Sequence, residues 1–320
     1  MVRTLKLVLG CGLIAAGMCG ALALPGSALA DGEVLYPGKY FGRVDLPLPQ
    51  AFRHLKRLIG NTDNFEPINN FSQNNRYRVM AAPIGRLDLL VRDQGREQVA
   101  VCTAWLVSAD LAVTNHHCIP GEEGELLKAS LLMNYLKEGK TDTVERYGVN
   151  IQPIETNADL DFSVIRVDGS PGNKYGVIPL IARDPLPNEE LFMIQHPAGK
   201  PKRLTRRNCR ADAGTERPEE MRHFCDTLGG SSGSPVFSDN DMALLGLHFA
   251  GLEKQVNFAK RIKVILGSSR ILGQLGQVAP APSSTSGSGT TQPSKRSAPA
   301  TQETAPAASG TTSGGWQTIN

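Results

Sequence analysis

Short segments rich in β-favouring residues, separated by turns, constrain the fold of this 320-residue chain more than any other feature. Gly, Pro, Asn and Asp mark the turns throughout, and many short strands are typical of a sandwich or barrel. One later stretch, Ile262–Leu275, has apolar residues near three-to-four spacing and predicts a helix. The β-favouring segments are Val99–Val107, Leu111–Thr114, Phe162–Val167, Leu191–Gln195 and Met242–Phe249. We therefore expect an all-β architecture with a C-terminal helix.

The first thirty residues predict a signal peptide. Arg3 and Lys6 precede an apolar run from Leu7 to Leu24, and Ala28-Leu29-Ala30 supplies the small-x-small pattern that a signal peptidase reads. The run is longer than most signal segments, so an uncleaved membrane anchor is the alternative. Its many Gly and Ala residues make it weakly hydrophobic, which favours cleavage after Ala30. We expect a secreted or periplasmic protein with no stable membrane insertion after cleavage.

The regions before and after the central β segments differ from those segments in composition. Residues 31–78 are rich in Asn, Pro and polar residues, with a short basic piece at Phe52–Ile59 that could be helical. This region is either a removed pro-segment or an N-terminal extension lying on the domain, and the sequence favours neither. Residues 278–320 are mostly Pro, Ser, Thr, Gly and Ala, which predicts a disordered tail. The folded domain is expected over residues 79–277.

The cysteine count and the charge also change on signal cleavage. Four cysteines remain, Cys102, Cys118, Cys209 and Cys225, and an even number in an exported chain suggests two disulfides with three possible pairings. Cleavage removes Arg3 and Lys6 and no acid, so the formal net charge falls from +3 to +1. A nearly neutral chain gives no electrostatic reason to expect nucleic acid as a partner.

The segment Thr227–Pro235, with the sequence TLGGSSGSP, has the composition that a nucleophilic serine needs. Such a serine requires an exposed hydroxyl on a tight turn, with backbone N–H groups directed at the developing oxyanion. Glycines on both sides permit unusual backbone conformations and leave room for a substrate carbonyl. The N–H groups of Gly230 and Ser232 are the natural donors. Alone, however, the same segment is equally consistent with a flexible loop.

Two further segments carry residues that could activate a serine. Thr114-Asn115-His116-His117-Cys118 follows a predicted strand, and a histidine can accept a serine proton near neutral pH. A zinc site there is disfavoured, because three adjacent ligands do not easily converge on one tetrahedral ion. Asp159-Leu160-Asp161 opens the strand that follows, where a carboxylate can hold an imidazole in the required tautomer. Alone, an Asp before a strand is usually turn chemistry.

Together these motifs resemble the trypsin/chymotrypsin-like serine peptidases, especially the bacterial branch that includes the glutamyl endopeptidases. The resemblance covers about residues 83–266. Thr-x-x-His-Cys matches the histidine motif and selects His117, while Asp-Phe-Ser-Val-Ile-Arg-Val selects Asp161. Gly-Ser-Ser-Gly-Ser-Pro selects Ser232, and the order His, Asp, Ser is that of the family. Gln195–Gly199 is similar to a segment that recurs in the bacterial branch, in which His196 is expected to be structural.

The resemblance implies two antiparallel β-barrels with the active site between them, and a serine endopeptidase that uses a Ser-His-Asp triad and an acyl-enzyme. It implies an oxyanion hole from Gly230 and Ser232, and no metal or organic cofactor. The expected partner is a protein or peptide substrate, and the expected state is a monomer. The implied disulfides pair Cys102 with Cys118 and Cys209 with Cys225.

Substrate preference is divided between two interpretations. Asp226, six residues before Ser232, stands where trypsin-like members place the acid that attracts Arg or Lys. Thr227 and His248 resemble residues that glutamyl endopeptidases use to hold a Glu side chain. We expect basic residues to be slightly favoured. Animal relatives often carry an Asp before the serine that pairs with a newly freed N-terminus, but here that position is Ser231. The rival function is a catalytically silent trypsin-like fold that acts as an exported binding protein.

Overall fold

The computed structural model describes residues 35–47, 64–121, 124–214, 217–252 and 255–278. The predicted signal peptide, the Phe52–Ile59 piece and the tail from residue 279 lie outside these ranges. Over the described residues the chain is mostly strand, and the two predicted antiparallel β-barrels correspond to two antiparallel sheets, which confirms the all-β fold class. No helix among the described residues is long and apolar enough to cross a membrane.

The strands follow one another in short steps along the chain. They are β1 Tyr36–Pro37, β2 Glu66–Pro67, β3 Ile84–Asp93, β4 Arg96–Leu106, β5 Leu111–Thr114, β6 Glu125–Met133, β7 Glu145–Val149, β8 Glu155–Asn157, β9 Phe162–Arg166, β10 Leu191–Gln195, β11 Arg203–Thr205, β12 Glu220–His223, β13 Pro235–Ser238, β14 Leu244–Leu252 and β15 Val256–Arg261.

The first sheet has the order β7-β6-β3-β4-β5-β9-β8, with β1 added on β4. An isolated bridge between Val149 and Val167 links the end of β7 to the residue after β9, so the sheet curls towards closure. Its interior is filled by alternating apolar side chains from β3, β4 and β6, such as Leu87, Leu89 and Leu131. This sheet carries the histidine and aspartate motifs at the neighbouring strands β5 and β9.

The second sheet has the order β12-β15-β14-β13-β10-β11-β2 and carries the serine motif before β13. A bridge between Ala211 and His223 connects the chain after β11 to β12 at the opposite edge. Its interior includes Leu191, Met193 and Val236. Both implied disulfides are present, Cys102–Cys118 in the first sheet region and Cys209–Cys225 in the second.

The described residues also form four short α-helices, α1 Arg76–Ala81, α2 Gly172–Tyr175, α3 Ile262–Ser268 and α4 Arg270–Val278, besides short 3₁₀ and π turns. The predicted C-terminal helix is therefore present as two helices, broken at Ser269, whose backbone is extended. The Glu155 carboxylate accepts hydrogen bonds from the Ser269 hydroxyl and from the N–H groups of Arg270 and Ile271. These contacts satisfy the first turn of α4 and favour a new helix start over a continuous helix.

The described parts of residues 31–78 belong to both sheets. Strand β1 pairs with β4 of the first sheet, and β2 pairs with β11 of the second. Tyr36, Leu46 and Ile68 are buried in the core. The predicted domain boundary at residue 79 falls inside α1.

Candidate active site

His117 and Asp161 are positioned by two paired strands. His117 lies in the turn after β5, Asp161 lies directly before β9, and Thr114 pairs with Ser163 between these strands. One Asp161 carboxylate oxygen accepts a hydrogen bond from the backbone N–H of His117 at 3.0 Å. The other lies 2.8 Å from His117 Nδ1. The carboxylate therefore fixes both the backbone and the ring of His117, and leaves Nε2 as the ring nitrogen that can accept a proton.

The Asp161 backbone is also held in an uncommon conformation. Its φ is +43°, a left-handed value that Asp tolerates better than most residues. Its N–H donates to the Ala158 carbonyl, and its own carbonyl accepts from the Asn115 side-chain amide at 2.8 Å. Asn115, two residues before His117, thus ties the histidine turn to the aspartate turn.

His116, the neighbouring histidine, faces elsewhere. Its Nδ1 lies 2.7 Å from the Thr156 hydroxyl on β8. The only group of three potential metal ligands found among the described residues is Cys102, His117 and Cys118. Two of these three are joined in a disulfide and offer no thiolate, so the group is not a metal site.

The serine loop is attached to the first sheet through Thr103 of β4. The Thr103 N–H donates to the Ser232 carbonyl at 2.8 Å, and its hydroxyl donates to the Gly230 carbonyl at 2.9 Å. Thr103 follows Cys102, whose disulfide reaches Cys118 beside His117. One point on β4 therefore anchors both the serine loop and the histidine turn. The serine loop itself is almost fully buried, and Ser232 keeps 3% of its surface exposed.

The peptide units around Ser232 have their carbonyls engaged and two of their N–H groups unengaged. The Gly229 carbonyl accepts from the Ala198 N–H at 2.7 Å, and the Ser231 carbonyl accepts from the Ser234 N–H at 3.0 Å. In a trans peptide the N–H points opposite to the carbonyl, so the N–H groups of Gly230 and Ser232 point away from these partners. Neither N–H donates to any described residue. They are the pair that the sequence predicts as oxyanion donors.

The three predicted substrate-binding residues are buried, and each has a partner. The Asp226 carboxylate accepts hydrogen bonds from the backbone N–H and the side-chain amide of Asn64, at 3.2 and 2.9 Å. The Thr227 hydroxyl donates to Asn257 Oδ1 at 3.1 Å, while the Asn257 amide donates to the Cys225 carbonyl. Asn257 thus uses the single hydroxyl proton of Thr227.

His248 forms a buried pair with a second histidine. Its Nδ1 lies 3.2 Å from Nε2 of His223 on β12, and the two rings are nearly perpendicular. His248 lies on β14 within two residues of the bulge that shifts the β14–β15 register. Sequence reasoning missed His223, Asn64 and Thr103. Only the position of Thr103 directly after Cys102 offered a local signal.

His196 has the structural environment expected for it. Its ring is fully buried, and Nδ1 contacts the Lys200 carbonyl at 2.9 Å. Burial, with the nearby Lys202 charge, holds the pKa of His196 well below its ordinary value, so the ring is neutral. The same segment, Gln195–Gly199, contacts the serine loop through Ala198.

Comparison with known proteins agrees with the geometry. Residues 102–247 match the family described as the trypsin-like peptidase domain. The chain is 27% identical over 168 residues to secreted RxLR effector protein 73 of Plasmopara viticola, covering 47% of this chain and 41% of that protein. It is 27% identical over 158 residues to a glutamyl endopeptidase of Staphylococcus epidermidis, covering 48% and 55%. The chain thus spans about half the length of these relatives.

Two solved structures that align with this chain are distant from it in sequence. A glutamyl endopeptidase in complex with MPD aligns with 68% of this chain and 97% of its own, at 17% identity and a TM-score of 0.49. A thermostable serine protease from an extremophilic microorganism aligns with 57% and 93%, at 16% identity and a TM-score of 0.47. Residues 102–247 are thus similar to trypsin-like peptidase domains, and the chain is similar to a glutamyl endopeptidase over 48% of its length.

Proposed function

We propose that this protein is a secreted serine endopeptidase with Ser232 as nucleophile, His117 as base and Asp161 as the group that orients His117. The observation that carries the proposal is the pair of contacts from one carboxylate to the backbone N–H and Nδ1 of His117. A carboxylate placed in this way stabilises the imidazolium that forms when His117 accepts a proton.

The proposed reaction follows from these positions. The Ser232 Oγ attacks the substrate carbonyl carbon while its proton passes to Nε2 of His117. The negative charge on the former carbonyl oxygen is stabilised by the N–H groups of Gly230 and Ser232. Collapse of this intermediate breaks the C–N bond, and His117 returns the proton to the leaving amine. Water then hydrolyses the acyl-enzyme by the same proton path.

A fluorophosphonate probe tests the nucleophile. We expect covalent labelling of the full-length protein, its loss in Ser232→Ala, and its retention in Ser231→Ala. Ser231 is a matched control because it is the adjacent buried serine, whose hydroxyl accepts from the Leu228 N–H. Absence of labelling in the wild type, together with absence of peptide hydrolysis, would favour the rival function of an exported binding protein.

We further propose that the substrate residue before the scissile bond is basic. Asp226 is a buried carboxylate stabilised by two Asn64 donors. The Thr227 proton is used within the protein, so Thr227 does not donate to a substrate Glu. Matched peptides with Arg, Lys or Glu before the scissile bond test this proposal through kcat/KM. A clear preference for Glu would overturn it and favour a role for His248 in binding a carboxylate.

A further inference from the structure

We propose that Tyr36, in the N-terminal segment, is a positioning residue for the oxyanion hole and acts through Ala198. This inference rests on the proposed function, since an oxyanion hole has a role only in a catalytic site. The proposal rests on the buried Tyr36 hydroxyl, the left-handed conformation of Ala198 and the Gly229–Gly230 peptide of the serine loop.

The first step is the contact between Tyr36 and Ala198. Tyr36 is 2% exposed and packs with Leu46, Val99, Val101 and Ala198. Its hydroxyl donates to the Ala198 carbonyl at 2.8 Å. Burial raises the pKa of the phenol far above its ordinary value, so the hydroxyl keeps its proton and remains a donor.

The second step is the conformation of Ala198. Its φ is +53° and its ψ is 31°, in the left-handed region that a residue with a Cβ adopts at an energetic cost. Such a conformation persists only where surrounding contacts hold it. The Tyr36 hydroxyl is one such contact, and the turn bonds from Gly199 N–H to the His196 carbonyl and from Lys200 N–H to the Pro197 carbonyl are others.

Ala198 is connected in turn to the peptide that carries the Gly230 oxyanion donor. In this conformation the Ala198 N–H donates to the Gly229 carbonyl at 2.7 Å. This bond fixes the Gly229–Gly230 peptide with the Gly230 N–H on its opposite side. Gly230 itself has φ +96°, and a Cβ there would lie 2.8 Å from the His196 carbonyl oxygen, so the loop fits closely against Gln195–Gly199. Rotation of Ala198 would remove the constraint that directs this N–H.

This chain of contacts supports the oxyanion loop without a freed N-terminus. The position before Ser232 is Ser231, so no carboxylate is available there to pair with a freed N-terminus. Instead, Tyr36 reaches the oxyanion loop through a core contact. Removal of residues 31–78 as a whole would delete this contact, so we expect the fully active enzyme to retain Tyr36.

The test uses full-length Tyr36→Phe, which deletes only the hydroxyl. Tyr40→Phe is the matched control, because Tyr40 lies in the same segment and packs against the same apolar cluster as Tyr36. We expect Tyr36→Phe to lower kcat by about 3- to 15-fold, the range for loss of one hydrogen bond, with KM changed less than about twofold. A peptide boronic acid, whose adduct places an oxygen in the oxyanion hole, should lose affinity by a similar factor. Tyr40→Phe should match the wild type in both measurements.

A second variant separates positioning from a general loss of stability. Ala198→Gly keeps the N–H and removes the cost of the left-handed conformation. Tyr36→Phe should lower kcat less in the Ala198→Gly background than in the wild-type background. If Tyr36→Phe alone folds poorly, kcat of the double variant is compared with that of Ala198→Gly.

Three results would overturn the inference: an unchanged kcat in Tyr36→Phe, a change in KM alone, or the same fold decrease in kcat from Tyr36→Phe in the wild-type and Ala198→Gly backgrounds. If the wild type itself shows neither hydrolysis nor fluorophosphonate labelling, the proposed function fails before this inference is reached.

Discussion

Replacement of Thr103 by Val tests whether one hydroxyl holds the serine loop against the first sheet. The Thr103 hydroxyl is fully buried, donates to the Gly230 carbonyl at 2.9 Å and accepts from the His196 N–H at 3.2 Å. Val has the same shape without the hydroxyl, so both partners lose this contact. An unpaired buried polar group costs about 1–3 kcal/mol. With two such groups, we expect the free energy of unfolding to fall by about 2–6 kcal/mol.

Thr103→Ser provides the matched comparison. Ser keeps the hydroxyl and loses one methyl group, which costs about 1 kcal/mol. In a domain of this size each 1 kcal/mol shifts Tm by about 2–4 °C. We expect Tm to fall by about 4–24 °C in Thr103→Val and by about 2–4 °C in Thr103→Ser.

Thermal unfolding followed by circular dichroism measures the two shifts, and kcat is then measured well below both Tm values. Since the Gly230 carbonyl belongs to the loop that carries the oxyanion donors, Thr103→Val should also lower kcat more than Thr103→Ser does. Equal Tm values for the two variants would refute the reasoning, because they would show that the hydroxyl contributes nothing to holding the loop.

Two further predictions concern a glycine and a buried lysine. Gly233→Ala should unfold the protein or lower its free energy of unfolding by more than about 3 kcal/mol, because φ is +85° and a Cβ would lie 2.1 Å from the Thr103 carbonyl oxygen. Gly95 is the matched control, since its φ is +78° but no atom lies within 4 Å of its Cβ position. Gly95→Ala should lower the free energy of unfolding, measured with urea, by only about 1–2 kcal/mol. Burial lowers the pKa of Lys202 from 10.5 to about 7, so between these values the unfolded chain binds one more proton and the free energy of unfolding rises with pH. Urea unfolding at pH 7, 8 and 9 should show a rise of up to about 1.4 kcal/mol per pH unit, absent in Lys202→Met; parallel pH profiles would contradict this prediction.

Local patterns were sufficient to predict several elements of the fold. Strands β5 and β10 coincide with the predicted segments Leu111–Thr114 and Leu191–Gln195, because short β-favouring runs bounded by turn residues are a local signal. The break at Ser269 had no such signal. It depends on Glu155, which lies more than a hundred residues earlier and reaches the helix only in the folded chain. Two-residue strands such as β1 and β2 were missed for the same reason.

Parts of the candidate site could likewise be predicted from local motifs, and other parts could not. His117, Asp161 and Ser232 stand in motifs whose residue types carry the chemistry, yet the resemblance to a family was needed to prefer His117 over His116 and Ser232 over Ser231. The structure supplies a physical difference for the first choice, since only His117 contacts the Asp161 carboxylate. The partners of the predicted pocket residues were not predictable. Asn64 lies 162 residues before Asp226, and no period or spacing in the sequence relates them.

These long-range contacts give the N-terminal segment two separate connections to the proposed catalytic centre. Tyr36 contacts Ala198, which holds the peptide before Gly230, and Asn64 contacts Asp226 at the predicted specificity position. The two contacts lie on either side of residues 48–63, and β1 and β2 attach them to different sheets. A segment that only covered the active site would not need hydrogen bonds to both Ala198 and the buried Asp226 carboxylate. The segment is therefore better understood as a structural part of the proposed active site, and its loss should impair the turnover rate and the selectivity separately.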